Sequence, residues 1–217
     1  MAAYNAIHGT DFAISDIKLT RGGDLGVIDT DSFTYILTYS FPCQDLSVAG
    51  RQRGMQKGSG TRSGLLWEVE RLLTEMDELP QILLMENVPQ VHNDKNIESF
   101  KDWIAFLDNM GYKSRYQDLN GKDYGVPQNR VRCFMLSWQG DYFYHFPEPS
   151  QEDVTLKDVL ETEVDEKYYL SEKQIKSIMT SNFNTNKNRI QDAEGVAATL
   201  CARDWKDPKC VEVRENE

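Results

Sequence analysis

Apolar and polar positions follow two periods along the first two thirds of the chain. Tyr35 to Ser40 is rich in β-branched and aromatic residues, bounded by Asp31 and Pro42, and reads as a buried strand. Leu65, Leu66, Val69, Leu72, Leu73 and Met76 recur at helical spacing, with Thr61 or Ser63 placed to cap the helix and Pro80 to end it. Gln81 to Met85 reads as a second buried strand, broken by Pro89. Phe100, Trp103, Ile104, Leu107 and Met110 form the apolar stripe of another helix, stopped by Gly111. Val131 to Ser137 reads as a further strand. Between these, Gly50 to Gly64 is rich in Gly, Arg and Ser and has no apolar period. It reads as a long mobile loop, and loops of that length inside a compact domain are usually functional.

Strand, helix, strand, helix, strand predicts an α/β fold with a doubly wound sheet. Ligands of such sheets sit beyond the carboxyl ends of the strands. Cys43 and Glu86 each follow directly after a strand, so chain order places a thiol and a carboxylate on one rim. The pattern changes after Phe146. Pro147 and Pro149 open an acidic stretch, and short segments of Asn, Thr and Lys follow. The reading is a core over 1–146 and a separate, less regular lobe over 147–217.

Composition narrows the classes. Hydrophobic residues at 40% and charged residues at 27% of 217 are ordinary for a globular chain, long enough for a real core. No apolar run approaches membrane-spanning length, and the N-terminus resembles no signal or transit peptide, so the expected compartment is the cytoplasm. Cys43, Cys133, Cys201 and Cys210 form no C-x-x-C pair, so no metal site is expected, and no disulfide framework either. The net charge of −11 argues against nucleic-acid binding, because a DNA-binding surface needs positive charge to neutralise phosphates. The charge is uneven, however: Glu148–Glu172 holds nine acidic and two basic residues, whereas Lys173–Lys209 holds seven basic and four acidic. Arg51, Arg53, Lys57 and Arg62 cluster just after Cys43, so a basic face can coexist with the acidic total.

Three segments carry candidate chemistry. Phe41-Pro42-Cys43-Gln44 puts a cysteine on a tight turn after a strand; buried structural cysteines are the commoner case. Glu86-Asn87-Val88-Pro89 ends a strand on a glutamate, more often a solvated or ion-paired edge residue. Gln128-Asn129-Arg130-Val131-Arg132 sets two arginines at alternate positions entering a strand, where both point to one face and a surface ion pair is the plain alternative.

Together and in this order, the segments resemble the cytosine-5 DNA methyltransferase family. The matching residues are Pro42-Cys43-Gln44 with Ser47, Ala49 and Gly50; Glu86-Asn87-Val88; and Gln128-x-Arg130-x-Arg132 after Asp123-Tyr124-Gly125-Val126-Pro127. The resemblance covers residues 4 to 138 well and the remainder loosely. It implies a Rossmann-like methyltransferase sheet with part of a small, irregular target-recognition lobe.

It also implies that a methyl group passes from S-adenosylmethionine to carbon 5 of a cytosine flipped out of double-stranded DNA. Cys43 is implied as the nucleophile, Glu86 as the group that holds or donates a proton at N3 and the exocyclic amine, and Arg132 as the contact to O2. Arg130 supports the site or meets the DNA backbone. Asp16 and Ile17, in Ile14-Ser15-Asp16-Ile17, are implied on the adenine, with Pro42 and Leu65 lining the same pocket. Gln44, Ser47, Asn87 and Gln128 are implied on the substrate side, and the loop from Gln44 to Gly64 closes over the flipped base.

The family's opening Phe-x-Gly-x-Gly block and its closing Arg-x-Leu-Thr-like block are not found in this sequence. The expectation is therefore a fragment or subunit, with the Tyr35–Ser40 strand open to a complementing polypeptide or to self-association. A catalytically inactive relative or a DNA-binding regulatory subunit is the alternative. An unrelated thiol enzyme would need a histidine partner for Cys43, and His8, His92 and His145 stand in no such motif.

Overall fold

The computed structural model describes residues 2–11, 13, 15–46, 54–150, 152–180, 190–201, 204, 206 and 208–212. The chain forms two compact units: residues 1–118 with 132–145, and residues 119–131 with 146–217. Residues 119–131 thus group with the later part of the chain. No helix among the described residues is long and apolar enough to cross a membrane.

The first unit opens with helix α1 (Ala2–His8) and is organised around strands β1 (Ile36–Tyr39) and β2 (Ile82–Asn87). Helix α2 (Leu66–Glu75) joins these two strands. Helix α3 (Ile97–Asn109) follows β2 and leads into strand β3 (Lys113–Asn120). After the short strand β4 (Gln128–Asn129), strand β5 (Val131–Trp138) enters the sheet, whose order is β1-β2-β5-β3. β1 and β2 run parallel, Tyr39 opposite Met85, while β5 runs antiparallel to β2, Glu86 opposite Phe134. The sheet is mixed.

The alternation of side chains divides the sheet into two faces. Leu83, Met85 and Asn87 of β2, with Cys133, Met135 and Ser137 of β5, are buried. They join a core with Val69 and Leu73 of α2 and Phe100, Trp103 and Leu107 of α3. Trp103 is its hub. Its indole N–H donates to the Tyr39 hydroxyl at 3.0 Å, and its ring meets those of Tyr39, Trp67 and Phe106. Burial holds the Tyr39 phenol well above the usual tyrosine range, so it stays a neutral acceptor here. The opposite face, with Ile82, Leu84, Phe134 and Leu136, is only partly covered. On β1, Ile36 is 59% exposed.

Local chemistry accounts for the element ends. α3 closes in a Schellman turn: Gly111 takes φ +86°, and the Tyr112 N–H reaches back to the Leu107 carbonyl at 2.9 Å. The expected side-chain cap on α2 is absent. A turn over Ser63–Leu65 precedes the helix, and the Ser63 hydroxyl is spent on the Pro42 carbonyl. Thr61 serves that preceding turn instead, accepting the Gly64 N–H at 3.1 Å. The strand expected from Val131 is longer by one residue and separate from β4, with a break at Arg130.

The second unit has few long elements: helix α4 (Glu172–Thr180) and strands β6 (Ile190–Asp192), β7 (Ala197–Ala198) and β8 (Cys210–Glu212). β4 pairs with β7 and β6 with β8, each in parallel.

Candidate active site

Cys43 begins a short turn, Cys43–Asp45, directly after β1, and its thiol is half-buried. Pro42 fixes the entry to this turn in extended geometry, and the Leu46 N–H closes it on the Cys43 carbonyl at 3.0 Å. Residues 42–46 are then fastened to the start of α2. The Pro42 carbonyl accepts from Ser63, the Asp45 carboxylate accepts the Arg62 N–H at 2.9 Å, and the Gln44 side-chain carbonyl accepts from the Arg62 guanidinium. Asp45 is buried, and the Arg62 backbone N–H meets its carboxylate there.

Glu86 is the penultimate residue of β2. Its carboxylate meets the Arg132 guanidinium of β5, Nε to Oε1, at 2.9 Å. Glu86 faces Phe134 across the antiparallel ladder, and Arg132 lies two residues earlier on the same face. The Arg132 side chain is 19% exposed and that of Glu86 40%, so the pair stands at the border of solvent, on the partly covered face of the sheet.

Asn87 links the two segments. Its amide donates to the Phe41 carbonyl at 3.0 Å, and its Oδ1 accepts the Val88 N–H at 2.8 Å. Phe41, two residues past the end of β1 and just ahead of Pro42 and Cys43, is thereby tied to the residue that follows Glu86. Asn87 is 3% exposed, and both its polar ends are engaged within the protein.

Asp16 and Ile17 lie in a turn ahead of β1. The exposed Asp16 carboxylate accepts the Lys18 N–H at 3.0 Å, and Ile17 packs partly against the core. Sequence reasoning missed what holds this turn. Arg71 of α2 donates through Nη2 to the Ile17 carbonyl at 2.8 Å and to the Thr20 carbonyl at 2.9 Å. Its other nitrogens pair with Glu68 and Glu75 along the helix. Those hydrogen bonds raise the Arg71 pKa, while Arg71, and then the Gly22 N–H, hold Glu75 below the usual carboxylate range. Gly22 is buried against the same helix with no room for a side chain. An arginine four residues before a glutamate on a helix surface reads only as an ion pair; nothing in the sequence shows its reach to a turn 51 to 54 residues away.

The remaining expected residues fall as follows. Pro42 and Leu65 are half-buried, at the two ends of the segment fastened by Ser63. Gln44 is exposed, and Ser47 lies outside the described residues. Gln128 and Arg130 belong to the second unit, where the Asn120 side chain accepts the Arg130 N–H at 2.8 Å and Gln128 pairs with Ala197. Of the segment expected as a mobile loop, residues 47–53 lie outside the described residues and residues 54–64 are anchored. Met55 is fully buried, its carbonyl accepts the Trp67 indole N–H at 2.8 Å, and the Gly54 carbonyl accepts from Thr61 at 3.0 Å.

A mixed α/β sheet with the thiol, carboxylate and guanidinium carried at strand ends defines a Rossmann-like methyltransferase fold. The solved Entamoeba histolytica methyltransferase EhMeth shares it, with a TM-score of 0.71 over 96% of this chain and 61% of its own, at 13% identity. The family model for C-5 cytosine-specific DNA methylase matches residues 1–213, and the chain belongs to that family. It is 43% identical over 160 residues to the orphan methyltransferase M.SssI of Spiroplasma monobiae, covering 73% of this chain and 41% of that protein. It is 38% identical over 162 residues to the Type II methyltransferase M2.ScrFI of Lactococcus lactis subsp. cremoris, covering 73% and 44%. The chain thus spans less than half the length of these two relatives.

Proposed function

We propose that this chain is the catalytic portion of a DNA (cytosine-5)-methyltransferase that acts on a cytosine flipped out of duplex DNA. The observation that carries the reading is the Glu86–Arg132 pair at 2.9 Å, on the strand end that Asn87 ties to the Cys43 turn. In the family's chemistry, carbon 5 of cytosine becomes nucleophilic only after a thiolate adds to carbon 6. Cys43 supplies that sulfur. Glu86 holds a proton at N3 and the exocyclic amine while charge builds in the ring, and Arg132 hydrogen-bonds O2 and orients the ring. In the absence of a base the two side chains neutralise each other, which keeps both near the place where they are needed. The carbon-5 proton then leaves, and the Cys43–carbon 6 bond breaks to restore the thiol and the aromatic ring. Asn87 is a positioning residue, acting through Phe41 and Glu86. Arg130, Gln44, Ser47 and Gln128 serve the DNA side, and the second unit supplies part of the target-recognition surface.

The residues ahead of β1 fit S-adenosylmethionine by the chemistry of their donors. The exposed Asp16 carboxylate is an acceptor suited to an adenine amine, and Ile17, Pro42 and Leu65 offer apolar surface. When bound, the cofactor supplies the electrophilic methyl group.

The reading includes a complementing polypeptide or a second copy on the sheet. Among the described residues β1 pairs with β2 alone, and Ile7, Leu19, Ile28, Phe33 and Ile36 are all more than half exposed. The second reading is a catalytically inactive relative or a DNA-binding regulatory subunit, and a strand edge that takes a partner chain is compatible with either.

The deciding experiment is trapping with a 5-fluorocytosine DNA duplex and S-adenosylmethionine, with and without a complementing fragment. The fluorine blocks loss of the carbon-5 substituent, so a covalent adduct accumulates on Cys43. Cys43→Ser abolishes it; an adduct that survives that substitution refutes the assignment. No adduct under either condition leaves the regulatory reading standing.

A further inference from the structure

Chain folding gathers three residues that the proposed reaction does not use. His92 ends the short turn Pro89–His92 after β2, Asp118 lies on β3, and Cys133 lies on β5 opposite Asn87. One nitrogen, one oxygen and the sulfur of these residues all lie within 4.8 Å of one another. His92 Nε2 stands 3.0 and 3.2 Å from the two Asp118 oxygens. The imidazole packs against two rings, with its centroid 6.1 Å from that of Phe100 and 5.3 Å from that of Tyr116, and those two rings meet edge to face at 5.0 Å. The sulfur is fully buried, whereas the His92 and Asp118 side chains remain 26% and 33% exposed.

We infer that His92, Asp118 and Cys133 form a binding site for a divalent cation of borderline softness, of the zinc class. The donor set is mixed nitrogen, oxygen and sulfur, which suits zinc and cobalt and excludes magnesium and calcium as natural occupants. Zinc bonds of roughly 2.0–2.3 Å place tetrahedral ligand atoms about 3.3–3.8 Å apart, so the observed trio needs a contraction of about 1.5 Å at most. Its buried side is closed by the sulfur, and its open side reaches solvent through His92 and Asp118, which leaves the fourth position to water. Binding forms the sulfur–metal bond as the thiol proton passes to bulk water, with the imidazole bound as the neutral base.

The position gives the ion a consequence. His92 follows Glu86 by six residues through one turn, and Cys133 is the neighbour of Arg132. An ion held by His92 and Cys133 therefore joins the backbone on both sides of the Glu86–Arg132 pair. Occupancy stabilises the first unit by mass action, since the unfolded chain brings no such trio together.

The test reads the metal and not methyl transfer, so its outcome is independent of the function proposed above. Cobalt(II) is titrated into the 217-residue chain carrying Cys201→Ser and Cys210→Ser, which leaves Cys43 and Cys133 as its thiols. The expected result is equimolar binding, with the sulfur-to-cobalt charge-transfer band and the strong visible bands of a four-coordinate ion, both removed by added zinc. Asp118→Asn and His92→Phe, both at solvent-reaching positions, weaken binding by at least the roughly 10- to 100-fold that even outer-shell changes cost at metal sites. Cys133→Ala removes the sulfur band. The proposal is overturned if cobalt keeps its six-coordinate aqueous spectrum, if the band persists in Cys133→Ala, or if Asp118→Asn and His92→Phe bind as the parent does.

Discussion

Replacing Asn87 with alanine tests whether one buried amide couples the nucleophile's turn to the strand that bears Glu86. Asn87 makes two hydrogen bonds, to the Phe41 carbonyl at 3.0 Å and from the Val88 N–H at 2.8 Å. The first is buried, so its loss leaves the Phe41 carbonyl unsatisfied at a cost of about 1–3 kcal/mol. The second is only part-buried and water recovers some of it, so about 1 kcal/mol is expected there, for a total of about 2–4 kcal/mol. Urea unfolding of the 217-residue chain measures this. Asn87→Asp separates the two contributions, because a carboxylate still accepts from Val88 but cannot donate to Phe41, and so loses the larger part. If Asn87 positions the turn, adduct formation with 5-fluorocytosine DNA, in whatever assembly supports it, slows by about 100-fold in Asn87→Ala, the effect of a displacement near 1 Å at a reacting centre. Both variants unfolding within about 0.5 kcal/mol of the parent, as substitutions at plain surface sites do, refutes the coupling.

Gly22→Ala sets a Cβ 2.8 Å from the Leu72 carbonyl oxygen and 2.9 Å from the backbone of Glu75, so α2 or the turn must shift; the expected cost is about 1–3 kcal/mol in urea unfolding. A variant as stable as the parent shows that the turn is not seated on α2. Glu78 accepts from the Thr30 hydroxyl and from the N–H groups of Thr30 and Asp29, and these lower its pKa from the ordinary 4.5. A lowered folded pKa means stability that is present above the unfolded value and lost as pH falls through the folded one. The difference in urea midpoint between parent and Glu78→Gln is therefore largest near neutrality and closes below pH 4.5; a gap that does not change with pH contradicts this. Burial first, then the charge and hydrogen bond of Asp118, push the Cys133 thiol up to about 12. Under native conditions a thiol-specific reagent modifies Cys201, which is exposed, and spares Cys133 until denaturant is added. Native labelling of Cys133 by mass spectrometry sinks that expectation.

The helices and the inner strands were legible because they carry the core. β2 and β5 place alternate residues in it, and α2 and α3 present apolar stripes that match the observed burial at Leu66, Val69, Leu73, Phe100, Trp103 and Leu107. β3 was not legible. Lys113–Asn120 is mostly polar, with only Tyr116 and Leu119 apolar, and among the described residues it occupies a sheet edge, where one neighbour suffices and charge is tolerated. The direction of β5 was hidden as well: a strand's sequence carries its faces and not its polarity. Among the expected site residues, the motifs pointed to Cys43, Glu86 and Arg132 as candidates. They did not reveal that Glu86 and Arg132 pair, because a diagonal contact across a ladder depends on register. The anchoring of residues 54–64 escaped because a lone Met55 among Gly, Lys and Ser gives no period to read.

The start of α2 and its second turn hold two separate segments, and this explains why the helix has no side-chain cap of its own. Ahead of it, the hydroxyl of Ser63 and the N–H and guanidinium of Arg62 turn outward to Pro42, Asp45 and Gln44, and so fix the Cys43 turn. Two to three turns later, Arg71 and Glu75 reach Ile17, Thr20 and Gly22, and fix the Asp16 turn. A helix of ten residues is about 15 Å long. Through it the proposed nucleophile and the proposed adenine contact are referred to one rigid body, although 27 positions of sequence separate Asp16 from Cys43. A helix capped by its own side chain would satisfy its end and leave the Pro42 carbonyl to solvent. Here Ser63 is withdrawn from that duty, and a turn of tighter winding leads into the helix. The local departure from a good helix signal thus goes with the fastening of the Cys43 turn, since the hydroxyl that would have capped the helix is the one that holds the Pro42 carbonyl.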